Sequence, residues 1–583
     1  MIGTGLIGGK SLGMLLARAI TCKNSEEWRE RLEPHDSFFI GSDVFYTYLV
    51  LNKCWWLRRR KKGEDIERYL ERAKRARERI LQGDFPEETM HQFVEMLNYF
   101  GQSPIIVRSS SLQEDNYGNA FSGKYDSVFC ANQGTPDERM KEFLAAVRCV
   151  YASTMSREAL LYRYERGLLD SDEQMALLVQ RVSGSAYDDA HFFPQLAGVG
   201  YSYNPYVWSQ DIDPNAGLLR LVMGLGTRAV DRTEDDYTCL VALNQPLRRP
   251  QRVDDDIAQY AQRKIDTVDL ENNDFKTADI NTVLEKMPEF PRKLLTSVDN
   301  ELIRRAREHG KRDVFPWMFN LDNLLKRTSL AADMQAMMTA LQNAYGNPVD
   351  IEYTINFTSE NSYLLNLVQC RPFQVKLNVS GELLQPLEDV PEDDVILETA
   401  GPIIGQGIAT RVDRVVYINP KTYSRLGVQE RYSVARVLGR LNHLDTDKKP
   451  VVFLIGPGRW GTSSPSLGVP VKFSEINTVS ILCEMAVMHE GLVPDISLGT
   501  HFFNDLVEMD LVYMAVHPEK PLNRVHEQAL LQAPNRLAEL LPDDADWEHV
   551  IHVVEGGREN GKNGMFMHVD ATKQRAVCHF VES

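Results

Sequence analysis

One stretch of the chain places three chemically capable side chains on two short predicted strands. Residues Val349–Pro372 read VDIEYTINFTSENSYLLNLVQCRP, which predicts two strands joined by a polar turn. Alternation puts Glu352 on the polar face of the first strand, while Gln369 and Arg371 share one face of the second. If the strands pair, a carboxylate, an amide oxygen and a guanidinium converge. Such oxygens suit Mg²⁺ and arginine binds phosphate, whereas the alternative is an ordinary hairpin with a solvated polar face.

Two further segments combine glycine or serine with a cation. At the amino end, the glycine-rich loop 3–9 leads into Lys10 and an apolar helix, although the spacing is not that of a P-loop. Later, a predicted buried strand delivers Arg108 and three serines, and the next loop carries Gly123 and Lys124. Small residues and cations in such loops can approach phosphate closely. The alternatives are a lysine that merely begins a helix and a surface arginine.

The totals describe an ordinary soluble globular chain that is too long for one domain. With 583 residues, two or more domains are expected. The net charge of −17 argues against non-specific binding to nucleic acid or to an anionic membrane. The eight cysteines are scattered, and neither a signal peptide nor a membrane-spanning run is found, so we expect a cytoplasmic protein. The chain begins directly at the glycine loop, as though a preceding strand were missing.

These segments resemble the nucleotide-binding domain of phosphoenolpyruvate synthase and pyruvate phosphate dikinase. The stretch VRSSSLQED followed by AFSGKYDSV is similar to the family pattern VRSS(A)xxED…FAGxxDT. Further motifs follow in the family's order: GGKSLG, RCVYASTMSREALLYR, LLVQRVS, AGVGYSYNP, MGLGTRAVDRTEDDY and the hairpin DIEYTI…LVQCR. The matches span about residues 2–373. The resemblance implies a two-lobed α/β domain of the ATP-grasp type over residues 1–380, which binds ATP and Mg²⁺.

The resemblance also implies which residues meet the phosphates. Lys10 and Arg108 would hold them. The loop Ser122–Asp126, which includes Gly123 and Lys124, would cover them, with the Gly123 backbone close to the γ-phosphate. Phosphoryl transfer needs cations and hydrogen-bond donors fixed around the phosphate oxygens, and these residue types supply both.

The base and metal positions follow from the same resemblance. Gln180 and Val182 would present backbone groups to adenine, although Gln180 is equally typical of the edge of a core. Glu352 and Gln369 would bind Mg²⁺. Arg371 would stabilise charge on the transferring phosphoryl group.

The chain departs from the family pattern in two ways. Thr227 stands where the family motif GLGE has its acid, so the work of that carboxylate is absent or falls to another residue, with Glu234 and Asp235 as candidates. Residues 250–334 carry no family motif and predict a helical elaboration of the domain. The phosphoenolpyruvate-binding barrel of the family takes roughly 250 residues, and the rest of this sequence is too short to contain it. We therefore do not expect complete phosphoenolpyruvate synthesis from this chain alone.

The second half predicts a smaller α/β domain over residues 395–583, after an acidic linker. Its short strands and glycine turns loosely resemble the swivelling phosphohistidine domain of the dikinases, but the histidine signature of that domain is absent. His501, just before a predicted helix, is a candidate phosphoryl carrier; alternatively it caps or packs the helix. Arg459 and Trp460 lie in a glycine loop that fits either a binding loop or a tight turn.

Three functions are consistent with these features. The first is an ATP- and Mg²⁺-dependent phosphotransferase of the dikinase type with an unknown acceptor, in which Arg108, Arg371 and His501 are catalytic. The second is a non-catalytic nucleotide sensor that acts on a protein partner. The third is a synthase subunit whose barrel is supplied by a partner chain. The intact cations and acid favour catalysis, whereas Thr227 and the missing histidine signature favour the sensor.

Overall fold

The computed structural model describes the chain outside residues 35, 62–63, 115–123, 166–167, 188–189, 205–210, 231–235, 249–260, 299–302, 305–306, 310–315, 361, 373–389, 392–393, 401–402, 405–407, 445–449, 463–464, 488–510, 519–521, 557–563, 571–573 and 582–583. The chain divides into two units, and both mix helices with strands, so the fold is mixed α/β. Unit 1 comprises Met1–Ser202, Gly217–Asp231 and Asp236–Gln374. Unit 2 comprises Tyr203–Ala216, Arg232–Asp235 and Val375–Ser583. None of the described helices is both long and apolar enough to cross a bilayer.

The strands of unit 1 are numbered β1 to β15 along the chain. The first eight are β1 (Ser37–Ile40), β2 (Ile105–Ser111), β3 (Ser127–Cys130), β4 (Met175–Arg181), β5 (Ser185–Ala186), β6 (His191–Phe193), β7 (Leu196–Tyr201) and β8 (Leu218–Val222). The others are β9 (Cys239–Ala242), β10 (Lys264–Asp269), β11 (Asp274–Asp279), β12 (Thr296–Val298), β13 (Trp317–Phe319), β14 (Val349–Ser359) and β15 (Ser362–Pro372).

Two antiparallel sheets of unit 1 matter for the site. The first sheet has the order β1-β4-β2-β3, and the second sheet has the order β15-β14-β7-β8-β9. Strands β11-β10-β6-β5 and the pair β12-β13 form two smaller sheets. The first sheet therefore carries the predicted phosphate-binding strand β2, and the second sheet carries the predicted metal-binding hairpin β14–β15.

Twelve helices of unit 1 are described. They are α1 (Gly8–Asn24), α2 (Glu26–Arg31), α3 (Ser42–Leu51), α4 (Ile66–Leu81), α5 (Glu87–Phe100), α6 (Pro136–Ser153), α7 (Arg157–Glu165), α8 (Thr227–Val230), α9 (Ile280–Lys286), α10 (Glu289–Leu295), α11 (Asp322–Arg327) and α12 (Leu330–Tyr345). Local sequence explains several ends: Asp65 caps α4, Thr135 and Glu138 form a capping box at α6, and α12 ends at the left-handed Gly346.

Each of the two main sheets has its own hydrophobic core. Helices α3 to α6 contribute buried side chains to the core of the first sheet, which includes Phe45, Phe93 and Val147. The second sheet contributes Ile351 and Tyr353 of β14 to the other core, together with α12. The alternation predicted for β14 is therefore confirmed, because its odd-numbered residues from Val349 to Phe357 are buried and its even-numbered residues face the other way.

The segment 250–334, predicted to be helical, also contains strands. Its described residues form the hairpin β10–β11 and the pair β12–β13 beside α9, α10 and α11. The prediction of a helical segment is therefore correct only for its helices and missed its strands. Polar composition suggested solvated helices, but the run KIDTVD contains three β-branched residues, and Ile265 and Val268 are buried in the core of the second sheet.

Unit 2 contains two larger sheets. Its strands are β16 (Val395–Thr399), β17 (Ile403–Ile404), β18 (Ile408–Val412), β19 (Arg414–Ile418), β20 (Val452–Pro457), β21 (Arg459–Trp460), β22 (Gly468–Val469), β23 (Ile481–Met485), β24 (Val512–Val516), β25 (Arg524–Val525), β26 (Ile551–Glu555), β27 (Gly564–Asp570) and β28 (Arg575–Val581). The sheet orders are β17-β24-β23-β20-β19-β26, with β19, β20, β23 and β24 parallel, and β18-β27-β28-β16-β25. Its described helices are α13 (Pro420–Tyr423), α14 (Val428–Asn442), α15 (Phe473–Ile476), α16 (Glu527–Gln532) and α17 (Leu537–Leu540).

Candidate functional site

The hairpin β14–β15 places two polar pairs side by side. Glu352 lies directly opposite Gln369, and Asp350 lies directly opposite Arg371. Directly opposite residues of an antiparallel pair project from the same face of a sheet. The second sheet therefore presents two carboxylates, an amide and a guanidinium on one face, as the hairpin pattern predicted for Glu352, Gln369 and Arg371.

Arg108 of the first sheet reaches this face. Its Nη2 atom donates to Glu352 Oε2 at 2.5 Å and to Gln369 Oε1 at 2.9 Å, and its Nη1 atom donates to the Val368 carbonyl at 3.3 Å. Arg108 is buried, with 7% of its surface exposed. One guanidinium nitrogen thus contacts both predicted metal-binding oxygens, so these two oxygens are close neighbours.

Lys10 lies on the first turn of α1 beside the same strand. Its Nζ atom forms an ion pair with Glu114 Oε1 at 2.7 Å and donates to Ser109 Oγ at 3.1 Å. Glu114 also accepts from the Ser111 N–H at 3.0 Å. Glu114 was not predicted as a site residue, although its place six residues after Arg108 offered a signal. An ammonium group has three donors, so Lys10 can bind a further acceptor.

Glycines bring α1 into direct contact with both strands. A Cβ atom at Gly8 would lie 1.5 Å from the Ser110 carbonyl oxygen of β2, and one at Gly13 would lie 2.2 Å from the Cys370 carbonyl oxygen of β15. Side chains therefore cannot be accommodated at these two positions. The glycine loop, the arginine strand and the hairpin meet at one place, as the sequence predicted.

We expect Gly8→Ala to lower the free energy of unfolding by more than about 3 kcal/mol and to abolish nucleotide binding. Gly8 combines a φ of +77° with the overlap on Ser110, and both effects oppose a side chain. Gly346→Ala is the matched control, because its φ is +70° but nothing lies within 4 Å of the added Cβ. The control should cost only about 1 kcal/mol. Equal losses in urea unfolding of the two variants would contradict the packing argument.

Arg371 is held by a partner that was not predicted. Its Nε atom lies 2.9 and 2.8 Å from the two carboxylate oxygens of Asp350, and its Nη2 atom lies 2.8 Å from Oδ2. Burial raises the pKa of Asp350, while the Arg371 charge opposes the rise. The bidentate geometry fixes the guanidinium beside Glu352 and Gln369.

The charge state of Glu352 suits a metal ligand. Burial raises the pKa of this carboxyl, but the charges of Arg108 and Lys10 outweigh burial, so the net shift of the pKa is downward. Glu352 is therefore ionised at neutral pH. Mg²⁺ is commonly bound by one or two carboxylates, with water and phosphate completing the shell, so Glu352 and the Gln369 amide oxygen fit this ion. Clusters of three or more His, Cys, Asp or Glu side chains suited to a metal do not occur in the described residues.

Gln180 and Val182 line a small cleft beside the glycine helix. The cleft is also lined by Met14, Ser37 and Asn366, and its volume of about 50 Å³ holds a few water molecules. A base would require the cleft to open.

The polar groups of the cleft are only partly satisfied. The Gln180 Nε2 atom donates to Met14 Sδ at 3.1 Å and Ser37 Oγ at 3.3 Å, whereas its buried Oε1 atom has no hydrogen-bond partner within the described chain. The Val182 N–H donates to the Pro104 carbonyl at 2.9 Å, so a base contact from Val182 would have to use its carbonyl oxygen. The unmatched amide oxygen fits a ligand with a donor edge, such as a nucleobase.

Three predicted residues lie outside the described part of the chain, and a fourth contacts an aromatic ring. Ser122, Gly123 and His501 are not described. Lys124 is described, and its Nζ atom lies 5.7 Å from the centre of the Tyr162 ring.

Thr227, which replaces the acid of the family motif, contacts a carboxylate from another strand. Thr227 donates to Asp266 Oδ2 at 2.7 Å, and Arg228 Nε lies 3.1 Å from Asp266 Oδ1. Asp266 belongs to β10, in the segment without a family motif, so no sequence pattern pointed to it. The substitutes proposed from the sequence, Glu234 and Asp235, lie outside the described residues.

A second buried acid lies close to the Lys10 region. Glu173 accepts hydrogen bonds from Ser111 Oγ and, at 2.5 Å, from the Tyr125 hydroxyl. Burial raises the pKa of Glu173, while the Arg163 charge opposes the rise. Glu173 thus joins the end of β2 to Tyr125, which belongs to the predicted phosphate-covering loop 122–126.

We expect Glu173→Gln to remove part of the pH dependence of stability. A carboxyl whose pKa is raised by folding stabilises the fold below its ordinary pKa of about 4.5, and this contribution is lost as pH rises through the raised value. The wild type should therefore lose stability relative to Glu173→Gln as pH rises from 4 to 8. Melting temperatures of both proteins across this range test the sign. A difference that is independent of pH would contradict it.

The glycine loop of unit 2 is packed onto its own sheet. The Trp460 N–H donates to Glu484 Oε1 at 2.9 Å, and its indole Nε1 donates to the Cys483 carbonyl at 2.9 Å. Trp460 and Glu484 are both fully buried. These contacts explain why an aromatic residue follows Arg459 in a glycine loop, and they leave its binding role a prediction.

Comparison with known proteins agrees with the geometry of unit 1. The family model described as pyruvate phosphate dikinase, AMP/ATP-binding domain, matches residues 4–384. No match is found among curated proteins. The matched range includes the glycine loop, Arg108 and the hairpin with Glu352, Gln369 and Arg371, and it is more than half of the 583 residues. The chain therefore belongs to the family defined by the AMP/ATP-binding domain of pyruvate phosphate dikinase.

Proposed function

We propose that the protein is an ATP- and Mg²⁺-dependent phosphotransferase of the phosphoenolpyruvate synthase and dikinase type, with an acceptor still to be identified. The observation that carries the proposal is the contact of one Arg108 nitrogen with both Glu352 and Gln369, next to Lys10. Phosphoryl transfer depends chiefly on positioned cations and electrostatic stabilisation, and this cluster contains the required groups.

In this proposal unit 1 works as a two-lobed, ATP-grasp-type domain. Lys10 and Arg108 hold the phosphates, Glu352 and Gln369 hold Mg²⁺, and Arg371 stabilises charge on the transferring group. Bound Mg²⁺ neutralises charge on the phosphate oxygens. The ionised state of Glu352 supports its role, and the Asp350 contact supports a fixed orientation of Arg371.

The nucleotide base would enter the cleft of Gln180 and Val182. The unmatched Gln180 amide oxygen supports this assignment, since an incoming donor would satisfy it. The loop with Ser122, Gly123 and Lys124 would cover the phosphates. All eight cysteines are free thiols, which fits the cytoplasmic location that we propose.

For the second half we propose a diverged swivelling domain over residues 395–583. It would carry the phosphoryl group on His501, or pass it to a partner chain or a small molecule. A ring nitrogen of a neutral histidine can accept a phosphoryl group.

The test uses ATP labelled in either the β or the γ position. Incubation of the full chain with Mg²⁺ should place acid-labile label on the protein, and the labelled position identifies which phosphoryl group moves. His501→Ala should lose the label if His501 is the carrier. Full labelling of His501→Ala would refute that assignment but leave the phosphotransferase proposal intact, whereas no label and no turnover of ATP would contradict both.

A non-catalytic nucleotide sensor is the second candidate. The specific observation in its favour is Thr227, which replaces the family's acid with a hydroxyl that donates to Asp266. In that case ATP should bind without turnover over hours, and a protein partner should respond to the bound nucleotide. Turnover that depends on Glu352 would exclude it.

A further inference from the structure

Arg220 is a buried cation that the proposed function does not use. It lies in the middle of β8, between Leu219 and Leu221, and only 2% of its surface is exposed. Both of its Nη atoms are buried, and neither has a hydrogen-bond partner within the described part of the chain. An arginine side chain offers five donors and keeps its charge, so a buried guanidinium without partners is costly. A bound anion would compensate this buried charge.

The strand register places Arg220 on the face of the second sheet that carries the site. Arg220 lies opposite Val199 of β7, Val199 lies opposite Glu352 of β14, and Glu352 lies opposite Gln369 of β15. Directly opposite residues share a face, so this row of four projects from one side. The neighbours Leu219 and Leu221 belong to the hydrophobic core on the other side of the sheet.

The distance between Arg220 and Glu352 and their order along the row indicate where Arg220 lies relative to the base cleft. Arg220 and Glu352 are two strands apart, which separates their Cα atoms by roughly 10 Å. The base cleft is lined by Asn366 of β15, at the opposite end of the row. Viewed from that cleft, the pair Glu352 and Gln369 comes first and Arg220 lies beyond it. A second buried polar atom without a partner within the described residues, Thr354 Oγ1, belongs to the same face.

We infer that Arg220 binds a phosphate-type oxyanion at the end of the site away from the base. This inference rests on the proposed function. It adds that the group bound beyond Glu352 and Gln369 is negatively charged. The oxyanion has two sources: the terminal phosphate of the nucleotide, or a free anionic acceptor. A guanidinium binds either through paired hydrogen bonds, and the burial of Arg220 strengthens the interaction.

The test compares the wild type with Arg220→Met by calorimetric titration of the full chain. The probes are Mg·ATP, Mg·ADP, AMP, and orthophosphate in the presence of AMP. If the terminal phosphate is the ligand, Arg220→Met should weaken Mg·ATP binding at least tenfold and leave AMP unchanged. If a free anion is the ligand, orthophosphate binding should be lost and nucleotide binding kept. Unchanged binding of all four probes would overturn the inference while the proposed function stands.

The melting temperature of the ligand-free protein distinguishes an anion-binding Arg220 from a structural one. The two roles predict changes of opposite sign in Arg220→Met. Arg220→Met removes an uncompensated charge, so its melting temperature should equal or exceed that of the wild type. The matched control is Arg228→Met, since Arg228 is also buried but lies 3.2 Å from Asp236 and 3.1 Å from Asp266. The control should melt at a lower temperature than the wild type.

A second variant covers the case in which Arg220→Met does not fold. Arg220→Lys keeps the charge and should fold, but it loses the paired donors and should bind the affected probe several-fold more weakly than the wild type. A lower melting temperature of Arg220→Lys with unchanged binding of every probe would show a structural role and overturn the inference. A wild type that binds no nucleotide would instead refute the proposed function.

Discussion

Replacing Glu352 by glutamine should slow phosphoryl transfer from ATP by roughly 10²- to 10³-fold. The carboxylate is the one charged oxygen ligand of the proposed Mg²⁺ site, and the neutral amide of glutamine would leave Gln369 beside a second weak ligand. Arg108 would also lose the partner that its Nη2 atom contacts at 2.5 Å. The measurement is the initial rate of ATP consumption at saturating nucleotide over a range of Mg²⁺ concentrations.

The expected signature is a higher requirement for Mg²⁺ together with the lower rate. Glu142→Gln is the control, because Glu142 is a partly buried acid of unit 1 that accepts from the Ala131 and Asn132 N–H groups instead. The control should keep the wild-type rate and Mg²⁺ dependence. If Glu352→Gln turns over ATP at the wild-type rate, Glu352 is not the metal ligand.

Replacing Arg108 by methionine should have the second large effect. Nucleotide affinity should fall at least tenfold, because a cation that faces the phosphates is lost. The free energy of unfolding should also fall by about 3 kcal/mol, because the Glu352 carboxylate, the Gln369 amide oxygen and the Val368 carbonyl lose one shared donor. The measurements are calorimetric titration with Mg·ATP and urea unfolding of the ligand-free chain.

Arg108→Lys separates charge from geometry at this position. Lysine keeps the positive charge but lacks the planar guanidinium that reaches three acceptors. The affinity of Arg108→Lys for Mg·ATP and its free energy of unfolding should therefore lie between those of the wild type and Arg108→Met. Wild-type affinity in Arg108→Met would show that the phosphates bind elsewhere.

Local pattern was enough to predict the hairpin. In β14 the two-residue period of the side chains predicted which residues face the core. In β15 the register shifts between Leu367 and Gln369, and this irregularity puts Gln369 on the same face as Glu352. The order of family motifs then indicated that the glycine loop and Arg108 belong to the same site. Gly8 and Gly13 explain physically how α1 reaches both strands.

The partners of the predicted residues could not be derived in the same way. The contact of Asp350 with Arg371 depends on the register across the hairpin. The contact of Thr227 with Asp266 joins positions 39 residues apart. The polar composition of the stretch around β10 also led to a wrong prediction. The stretch was predicted to be helical, but it forms a strand and contains the buried Ile265. Non-local packing decided each of these cases.

Arg220 is a position at which the local sequence could have indicated a functional residue. A charged residue within the apolar run LLRLVMGLG is unusual for a strand buried on both sides, and it marks a position that needs a partner. The sequence does not reveal that Arg220 shares a row with Glu352, because that row crosses three strands distant in the chain.

A calorimetric titration of the ligand-free full chain with ATP, in the presence and in the absence of Mg²⁺, tests the central claim most directly. We predict saturable binding of one nucleotide per chain that is markedly tighter with Mg²⁺ and that loses this metal dependence in Glu352→Gln. The contradictory result would be either no saturable binding of ATP by the wild type or binding whose strength is the same with and without Mg²⁺ in both proteins.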